Sequence, residues 1–295
     1  MPELPDVLAY IHALAQRIEG YRLEKARIVS PFLLRTFDPP VEDVETHCAR
    51  EVNHIGKRIV ICFDNEMFLV FHLMIAGRFR WAQAGAKVPG KIGLASFEFE
   101  SGTLLMTEAS QKKRASLHVV HGDNALKEFE RDGLDMLGAN VDTFGKVLQS
   151  ENHTLKRALT DPQLFSGIGN AYSDEILHRA RLSPVKLTSR LKYEEVNRLY
   201  DATVETLEYW IGVLRERFDT KFPGPGDITA FRPEFAVHGK FGEACPVCKT
   251  VVQRIQYADR ETNYCPHCQT GGKLLADRSL SRLLKKDWPK TIDDL

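Results

Sequence analysis

Cys245-Pro-Val-Cys248, followed after residues 249–264 by Cys265-Pro-His-Cys268, is the sharpest motif in this chain. In a reducing compartment, two Cys-X-X-Cys pairs at this spacing predict a tetrahedral zinc site rather than two disulfides. Four thiolates close the coordination shell, so we expect one structural Zn²⁺ and do not count His267 as a ligand. The segment between the pairs alternates from Val251 onward, which predicts a β-hairpin too small to fold without the metal.

The N-terminus, Met1-Pro2-Glu3, carries a second candidate site. Removal of Met1, expected before a residue as compact as proline, gives Pro2 a secondary amine whose ordinary pKa is about 7.7 to 8.0. Such an amine condenses with an aldehyde or acetal carbon to form an iminium, which is an electron sink for elimination. Glu3 is placed to donate or accept the proton that this reaction needs. Taken alone, the triplet is more typical of an ordinary solvated terminus.

Composition narrows the class of protein. The chain has 295 residues, 43% hydrophobic and 27% charged, which is typical of a globular protein with two domains or one domain with appendages. It shows neither a long apolar run nor a secretory signal, so we expect a cytoplasmic, nucleoid-associated protein that is not secreted. Basic and acidic residues balance at 40 each, so any site for a polyanion must be local.

The hydrophobic pattern changes twice along the chain. Asp6 to Gly20 has helical spacing, with Pro5 in the first turn. Short apolar or alternating runs then predict strands at 26–29, 59–63, 68–73, 97–99, 104–107 and 117–120. Helical spacing returns at 124–131, 143–150, 154–160, 170–180 and 192–217, and a short helix is predicted at 279–286. We therefore predict an α+β multidomain protein with an N-terminal helix, an antiparallel β-sandwich, a helical domain and a C-terminal zinc-finger β-hairpin held by four cysteines.

Two of the predicted helices flank the interval from Asp161 to Gly169. This interval contains Pro162 and two glycines, which let a backbone approach a partner closely. Asn170 is placed to cap the second helix, whose free N–H groups and dipole favour a phosphate. A plain helical hairpin with a glycine turn is the alternative interpretation of this stretch.

Together with the N-terminal and cysteine motifs, three further features occur in an order seen in one family. They are His54-Ile-Gly-Lys57-Arg58, His72-Leu73 with Gly77, and Lys156 with the run Ser166 to Leu177. The chain resembles the formamidopyrimidine-DNA glycosylase / endonuclease VIII family of base-excision repair enzymes, over about Pro2 to Gln269. The resemblance implies a catalytic β-sandwich domain at 1–122, a helical domain at 123–222 with a helix-two-turn-helix at about 154–181, a zinc finger at 237–269 and a tail of unknown role at 270–295.

The resemblance also implies a bifunctional DNA glycosylase and apurinic-site lyase. Pro2 would attack the sugar of a flipped, damaged base in double-stranded DNA, and β,δ-elimination would cut the strand. Glu3 would protonate the sugar ring oxygen, and Asp6 and Lys57 complete the implied catalytic set. Implied contacts to DNA phosphates come from Lys57, Lys156, Asn170 and Arg260. The resemblance suggests a monomer.

Three departures from the family pattern bear on DNA recognition. Asp6 replaces the usual glutamate, and Ile75 replaces a methionine that wedges into the gap left by the flipped base. The loop Ser110 to Ala115 stands where the family usually has Asp-Pro-Arg-Arg-Phe-Gly. It lacks the aromatic wedge and instead carries a basic cluster, which we expect to contact DNA: Lys112, Lys113 and Arg114.

The preferred lesion stays open at this stage. The segment from Asp219 to Val237 is shorter than in members that process 8-oxoguanine, so oxidised pyrimidines, ring-opened purines and hydantoins are comparably favoured. A non-catalytic DNA-lesion binder on the same scaffold is the alternative, and it would predict loss of Pro2 or Glu3, both of which are retained. An unrelated enzyme with a catalytic N-terminal proline, such as a tautomerase, would give the cysteine hairpin no role.

Overall fold

The structure is a computed structural model that describes residues 1–257, 260–276, 283–284 and 289–294, with residues 257 and 260 described by their backbone alone. The chain divides into two compact units. Unit 1 comprises Met1–Arg131 and Trp210–Thr229, and unit 2 comprises Asp132–Tyr209 and Ala230–Leu295. Within the described ranges, no helix is long and apolar enough to cross a membrane.

Unit 1 is an antiparallel β-sandwich preceded by helix α1, Leu4–Ile18. One sheet has the order β1-β6-β7-β5, and the other has the order β2-β3-β4-β8. The strands are β1 Leu23–Ile28, β2 Ala49–Ile55, β3 Arg58–Phe63, β4 Met67–His72, β5 Gly77–Ala82, β6 Gly93–Phe99, β7 Gly102–Glu108 and β8 Ser116–His121. A short helix α2, Asp123–Lys127, follows and ends before the predicted limit at residue 131. The predicted sandwich with an N-terminal helix is confirmed.

Alternation along the strands builds the core of unit 1. Phe71 and Phe79 contact each other edge to face with ring centroids 5.1 Å apart, and Tyr10 of α1 contacts Phe79 at 5.5 Å. Such edge-to-face pairs add to the stabilisation that burial of the rings provides. Helix α1 is thereby packed on the sandwich, which fixes the position of the chain start just before it.

Unit 2 holds the helices and the zinc hairpin. It contains α3 Val141–Gln149, α4 Leu155–Thr160, α5 Asn170–Arg179, the first part of α6 Tyr193–Arg217, strands β9 Gln253–Tyr257 and β10 Arg260–Tyr264, and α7 Pro266–Thr270. Strands β9 and β10 pair antiparallel, so the predicted hairpin is confirmed. The helix predicted at 279–286 lies outside the described residues except for 283–284.

Helix α6 is shared between the two units and is divided at Trp210. The structure groups its end, and the chain up to Thr229, with the sandwich, whereas the sequence-based helical domain ran to residue 222. The physical reason is burial, since Leu214, Phe218 and Ile228 belong to the apolar core of unit 1.

Candidate active site and zinc centre

Unit 1 presents the chain start as a fixed structure at the head of α1. Pro2 is buried, and the side chains of Glu3 and Asp6 belong to residues only 3% and 2% exposed. The backbone N–H of Glu3 donates to the Asp6 carboxylate over 2.9 Å, as one half of a capping box. A capping box satisfies donors that a helix start otherwise leaves unpaired. The local sequence therefore holds Pro2 and Glu3 in a defined position.

Charged groups surround this chain start. Burial lowers the pKa of the Met1 terminal amine, which directly precedes Pro2; Glu3 opposes that change, and the cation of Arg78 adds to it. Burial also lowers the pKa of the Lys57 ammonium, against the carboxylates of Glu3 and Asp6. The Met1 amine next to Pro2 and the side chains of Glu3, Asp6 and Lys57 thus lie in one electrostatic neighbourhood. A desolvated amine beside carboxylates is suited to nucleophilic attack with proton transfer.

Ile75 lies at the tip of the turn between β4 and β5 and is 59% exposed. The turn closes with a bond from the N–H of Gly77 to the Leu73 carbonyl, 2.8 Å. A Cβ at Gly77 would lie 2.3 Å from that carbonyl oxygen, so no side chain fits there. Arg78 Nη1 donates to the carbonyl oxygens of Ile75, 3.0 Å, and Gly77, 2.7 Å. Ile75 is therefore an exposed apolar side chain on a rigid turn.

The basic loop, residues Lys112 to Arg114, is tied to the end of β7 by Glu108. The Glu108 residue is 1% exposed, and its carboxylate accepts the backbone N–H groups of Arg114, 3.0 and 3.1 Å, and Ala115, 3.2 Å. The Lys113 ammonium donates to the Glu108 carbonyl. Lys112 and Arg114 are exposed, so the loop presents cations on a fixed backbone.

In unit 2, Lys156 is drawn to the buried carboxylate of Asp174 on α5. Its Nζ donates to Asp174 Oδ1 and to the Asn170 carbonyl, both at 2.6 Å. The second oxygen of Asp174 accepts from the ring of His238, 2.7 Å, and from the backbone N–H of Asn263, 3.1 Å. One carboxylate therefore links α4, α5, the 236–238 segment and the hairpin.

Asn170 does not cap α5 with its side chain, so the predicted cap is wrong. Gly169 occupies the cap position, and Asn170 is the first helical residue. Its side-chain amide instead donates to the Glu261 carbonyl of β10, 2.9 Å. The physical reason is that the hairpin offers a carbonyl acceptor beside the helix start. Asn170 is exposed and is the first residue of a ten-residue helix, so the positive end of the helix dipole lies at the same point.

The structure describes the side chain of Arg254 in the hairpin, but only the backbone of Arg260. Arg254 pairs with Glu261, 3.2 Å, and its guanidinium carbon lies 4.3 Å from the centroid of the Phe241 ring. The backbone of Arg260 opens β10, opposite Tyr257, and its side chain lies outside the described part of the molecule. Its predicted phosphate contact stays a prediction.

The four cysteines form one compact cluster. The Sγ atoms of Cys245, Cys248, Cys265 and Cys268 all lie within 4.8 Å of one another. Tetrahedral Zn²⁺ with Zn–S bonds of about 2.3 Å would set them about 3.8 Å apart, so the cluster fits one structural zinc ion. The ring of His178 on α5 lies 3.3 Å, Nε2 to Sγ, from Cys245. Burial lowers the pKa of His178 to about 4, so a neutral ring donates to the thiolate.

Sequence reasoning missed the carboxylates that hold these sites together. Asp174 and Glu175 are both buried on α5. The Glu175 carboxylate accepts the backbone N–H groups of Ala236, Val237 and His238 over 2.7 to 2.9 Å. The available signal was two adjacent acids beside the apolar residues Tyr172, Ile176 and Leu177 of one helix, because buried carboxylates of this kind require partners. Arg78 and Glu108 gave no comparable signal in the sequence.

Comparison with known proteins gives consistent matches along the chain. Three family models match it: the formamidopyrimidine-DNA glycosylase N-terminal domain over residues 1–114, the formamidopyrimidine-DNA glycosylase H2TH domain over residues 134–218, and the zinc finger found in FPG and IleRS over residues 242–271.

Individual relatives and solved structures extend the similarity over most of the chain. A formamidopyrimidine-DNA glycosylase of Listeria innocua is 26% identical over 91% of this chain and 100% of its own length. An uncharacterized formamidopyrimidine-DNA glycosylase-like protein of Mycobacterium tuberculosis is 37% identical over 52% of this chain and 94% of its own. The Lactococcus lactis Fpg in complex with DNA containing an abasic site is 25% identical, with a TM-score of 0.81 over 91% of this chain and 99% of that chain.

Proposed function

Because the chain belongs to the formamidopyrimidine-DNA glycosylase family, a family of DNA-repair glycosylases, we propose that it is a bifunctional DNA glycosylase and apurinic-site lyase with Pro2 as its nucleophile. The observation that carries this proposal is the electrostatic neighbourhood of the chain start, where Pro2 is buried and the Met1 amine directly before it is desolvated beside Glu3, Asp6 and Lys57. Solved relatives bound to lesion-containing DNA support the substrate class.

The proposed reaction begins once Met1 has been removed and the damaged nucleotide has been flipped out of the stack. The Pro2 nitrogen attacks C1′ of the sugar and loses its N–H proton, the bond from C1′ to the base breaks, and the base leaves with the bonding pair and takes up that proton. Glu3 protonates the ring oxygen as the sugar opens, which leaves an iminium between Pro2 and C1′. Loss of a C2′ proton then expels the 3′ phosphate, and a second elimination expels the 5′ phosphate.

Contacts to DNA are proposed for both units. In unit 1, Lys57 would pair with a phosphate, Ile75 would fill the gap left by the flipped base, and the basic loop would contact the duplex. In unit 2, Asn170, Lys156 and Arg260 would hold phosphates, with the zinc site keeping the hairpin folded. Because Lys156 is paired with Asp174, we propose that it attracts a phosphate as a point charge near the start of α5 and does not extend towards the DNA.

The range of lesions is proposed to include ring-opened purines and oxidised pyrimidines. Known relatives have been solved with DNA containing Fapy-dG and with DNA containing an oxidized pyrimidine. The shortness of the segment from Asp219 to Val237 weighs against a strict requirement for 8-oxoguanine. We also propose that the protein acts as a monomer in the cytoplasm.

A cleavage assay tests the proposal. Purified protein would be mixed with end-labelled duplexes that carry an abasic site, 8-oxoguanine, a formamidopyrimidine or thymine glycol. Release of base and a shortened product with phosphate at both ends of the gap are expected. Glu3→Gln should keep DNA binding, while the rate of base release should fall by roughly two orders of magnitude or more because proton donation is lost. Glu100→Gln is the matched control, since Glu100 is an exposed acid of unit 1 with no place in the proposed site.

Tight binding of lesion DNA without cleavage of any duplex, by protein whose Met1 has been removed, would contradict the proposal. That result would favour a non-catalytic lesion-binding protein on the same scaffold.

A further inference from the structure

The outer face of the β2-β3-β4-β8 sheet carries a group of basic side chains that the proposed catalytic site does not use. Arg58 begins β3 and His72 ends β4, and the antiparallel register brings them opposite each other. His118 of β8 lies opposite Val70. Alternate residues of a strand share a face, so Val70 and His72 place all three polar residues on the same side of the sheet. The apolar core lies on the other side.

Two of these residues, Arg58 and His118, pack against the aromatic ring of Phe129. The guanidinium carbon of Arg58 lies 5.7 Å from the Phe129 ring centroid, and the ring of His118 lies 5.0 Å from it, edge to face. Phe129 itself packs on the small apolar cluster of this outer face. Arg131 follows two residues later and is exposed. Arg131 acts electrostatically on Arg58, so Arg58, His118 and Arg131 share one small area of unit 1.

Their charges have no anion to balance them among the residues the structure describes. Buried Nε of Arg58 and buried Nδ1 of His118 lack hydrogen-bond partners there. Burial lowers the pKa of Arg58, and Arg131 lowers it further. Burial likewise lowers the pKa of His118, followed by the cations of Arg58 and Arg35. The charged groups that act on Arg58 and His118 are thus positive, and only a hydrogen bond to the Val70 backbone acts on His118 in the other direction, so a bound anion would offset the repulsion between these groups.

We propose that Arg58, His118 and Arg131 form a binding site for one phosphate group, supplied by the backbone of duplex DNA. A guanidinium fork matches the oxygens of a phosphate, and the unpaired Nε of Arg58 supplies one of its donors. The DNA backbone is the favoured source because Lys57, for which a phosphate contact is already proposed, directly precedes Arg58. This inference rests on the proposed function, and free inorganic phosphate is the other source of the same chemistry.

The salt dependence of DNA binding tests the inference. Kd would be measured at several salt concentrations for a duplex with a tetrahydrofuran abasic analogue, with wild type and with Arg58→Gln/Arg131→Gln. Loss of one phosphate contact should reduce the slope of log K against log salt by about 1 and weaken binding at low salt. The matched control is Arg27→Gln/Arg50→Gln, two exposed arginines of unit 1, with Arg50 near the opposite end of the β2–β3 pairing from Arg58. The control should keep the wild-type slope.

Arg131→Gln alone keeps the test valid if loss of the Arg58 contact with Phe129 unfolds the double variant. Arg131 is exposed, so its replacement leaves the core intact, and the slope should change in the same direction. An unchanged slope in the folded variants, or an equal change in the control, would overturn the site. A shift of Tm by inorganic phosphate that the variant loses while its DNA slope stays at the wild-type value would assign the site to a free anion and overturn the DNA assignment.

A second readout separates this inference from the proposed function. Covalent trapping by wild type and by the control Arg27→Gln/Arg50→Gln tests the chemistry of the chain start alone. Absence of trapping by wild type would contradict the proposed chemistry, while the salt slope would still decide the phosphate site.

Discussion

The proposed chemistry depends on the protonation state of a single residue, the N-terminal amine of Pro2. Only the unprotonated amine attacks C1′, so the trapping rate should fall as the pH drops through the amine pKa. Burial lowers the pKa of the Met1 amine, and we expect the pKa of the Pro2 amine to be lowered in the same way once Met1 is removed. The midpoint of the trapping profile should therefore lie below the ordinary amine pKa of about 7.7 to 8.0. The measurement is the single-turnover rate of borohydride trapping on a preformed abasic site, taken from about pH 5 to about pH 9 so that the range includes the ordinary amine pKa of about 7.7.

Arg78 is expected to set part of that pKa. Its cation lowers the amine pKa, so Arg78→Met should move the midpoint of the trapping profile upward. The same change removes the donors to the Ile75 and Gly77 carbonyls and should raise the Kd for lesion DNA. Arg80→Met is the control, because Arg80 lies two residues along β5 and does not contribute to the amine pKa. An identical profile for Arg78→Met and wild type would show that Arg78 does not act on the amine.

Glu108 provides a second test at this scale. Glu108→Ala removes the acceptor for the N–H groups of Arg114 and Ala115, and unsatisfied buried donors cost about 1–3 kcal/mol. Trypsin should then cut the basic loop faster than in wild type, and the free energy of unfolding in urea should fall by that amount. Glu100→Ala is the control, since its carboxylate accepts one exposed backbone N–H, from Arg22. Equal loop cleavage in wild type and Glu108→Ala would mean that the loop is ordered by other contacts.

At the scale of elements, helix α5 is the part that organises unit 2. Asp174 holds Lys156 and His238, so Asp174→Asn leaves a buried ammonium and imidazole without their carboxylate. Breaking a buried pair in this way costs roughly 3–5 kcal/mol. We expect that loss in chemical unfolding, together with weaker DNA binding because the α5 start and the hairpin lose their common anchor. Asp201→Asn, an exposed acid on α6, is the control. A loss of stability below about 1 kcal/mol would contradict the role given to Asp174.

The zinc hairpin is joined to the same helix through His178. Because the ring of His178 lies 3.3 Å from Cys245 Sγ, His178→Phe should keep the aromatic volume but lose the donor to the thiolate. Loss of such an outer partner typically weakens metal affinity by about 10- to 100-fold. Competition of the protein with a chromophoric chelator measures this change directly. His153→Phe, a ring of unit 2 that pairs with Glu151, is the control. Equal zinc affinity for His178→Phe and wild type would contradict the proposed bond.

At the scale of the whole molecule, the elements that could be predicted were those with strong patterns. The apolar strands β3, β4 and β8, helix α1 and the cysteine hairpin follow from local spacing. Strand β2, Ala49–Ile55, was missed because only Ala49 and Val52 are buried, so its pattern is mostly polar. Strand β5 was missed because Arg78 and Arg80 interrupt its apolar residues.

The residues of the candidate site likewise fall into those that sequence motifs reveal and those that they do not. Pro2, Glu3 and the zinc cysteines lie in local motifs that the sequence displays. Arg78 and Glu108 act through contacts with backbone groups of their own turns, and Asp174 acts through side chains and backbone far along the chain; hydrophobic spacing encodes neither kind of contact. The division of α6 between two units is likewise a packing result, because only the core of unit 1 explains the burial of Leu214 and Phe218.

The central claim is that Pro2, and no other amine, forms the covalent bond to DNA. The direct test is to trap the protein with borohydride on an abasic-site duplex, digest the adduct with protease and nuclease, and locate the added sugar mass by tandem mass spectrometry. Lys57 is the natural competitor, since burial lowers its pKa and it lies near the same carboxylates. The account predicts the added mass on the N-terminal residue Pro2. An adduct on Lys57 Nζ, or no adduct from correctly processed protein that binds the duplex, would contradict it.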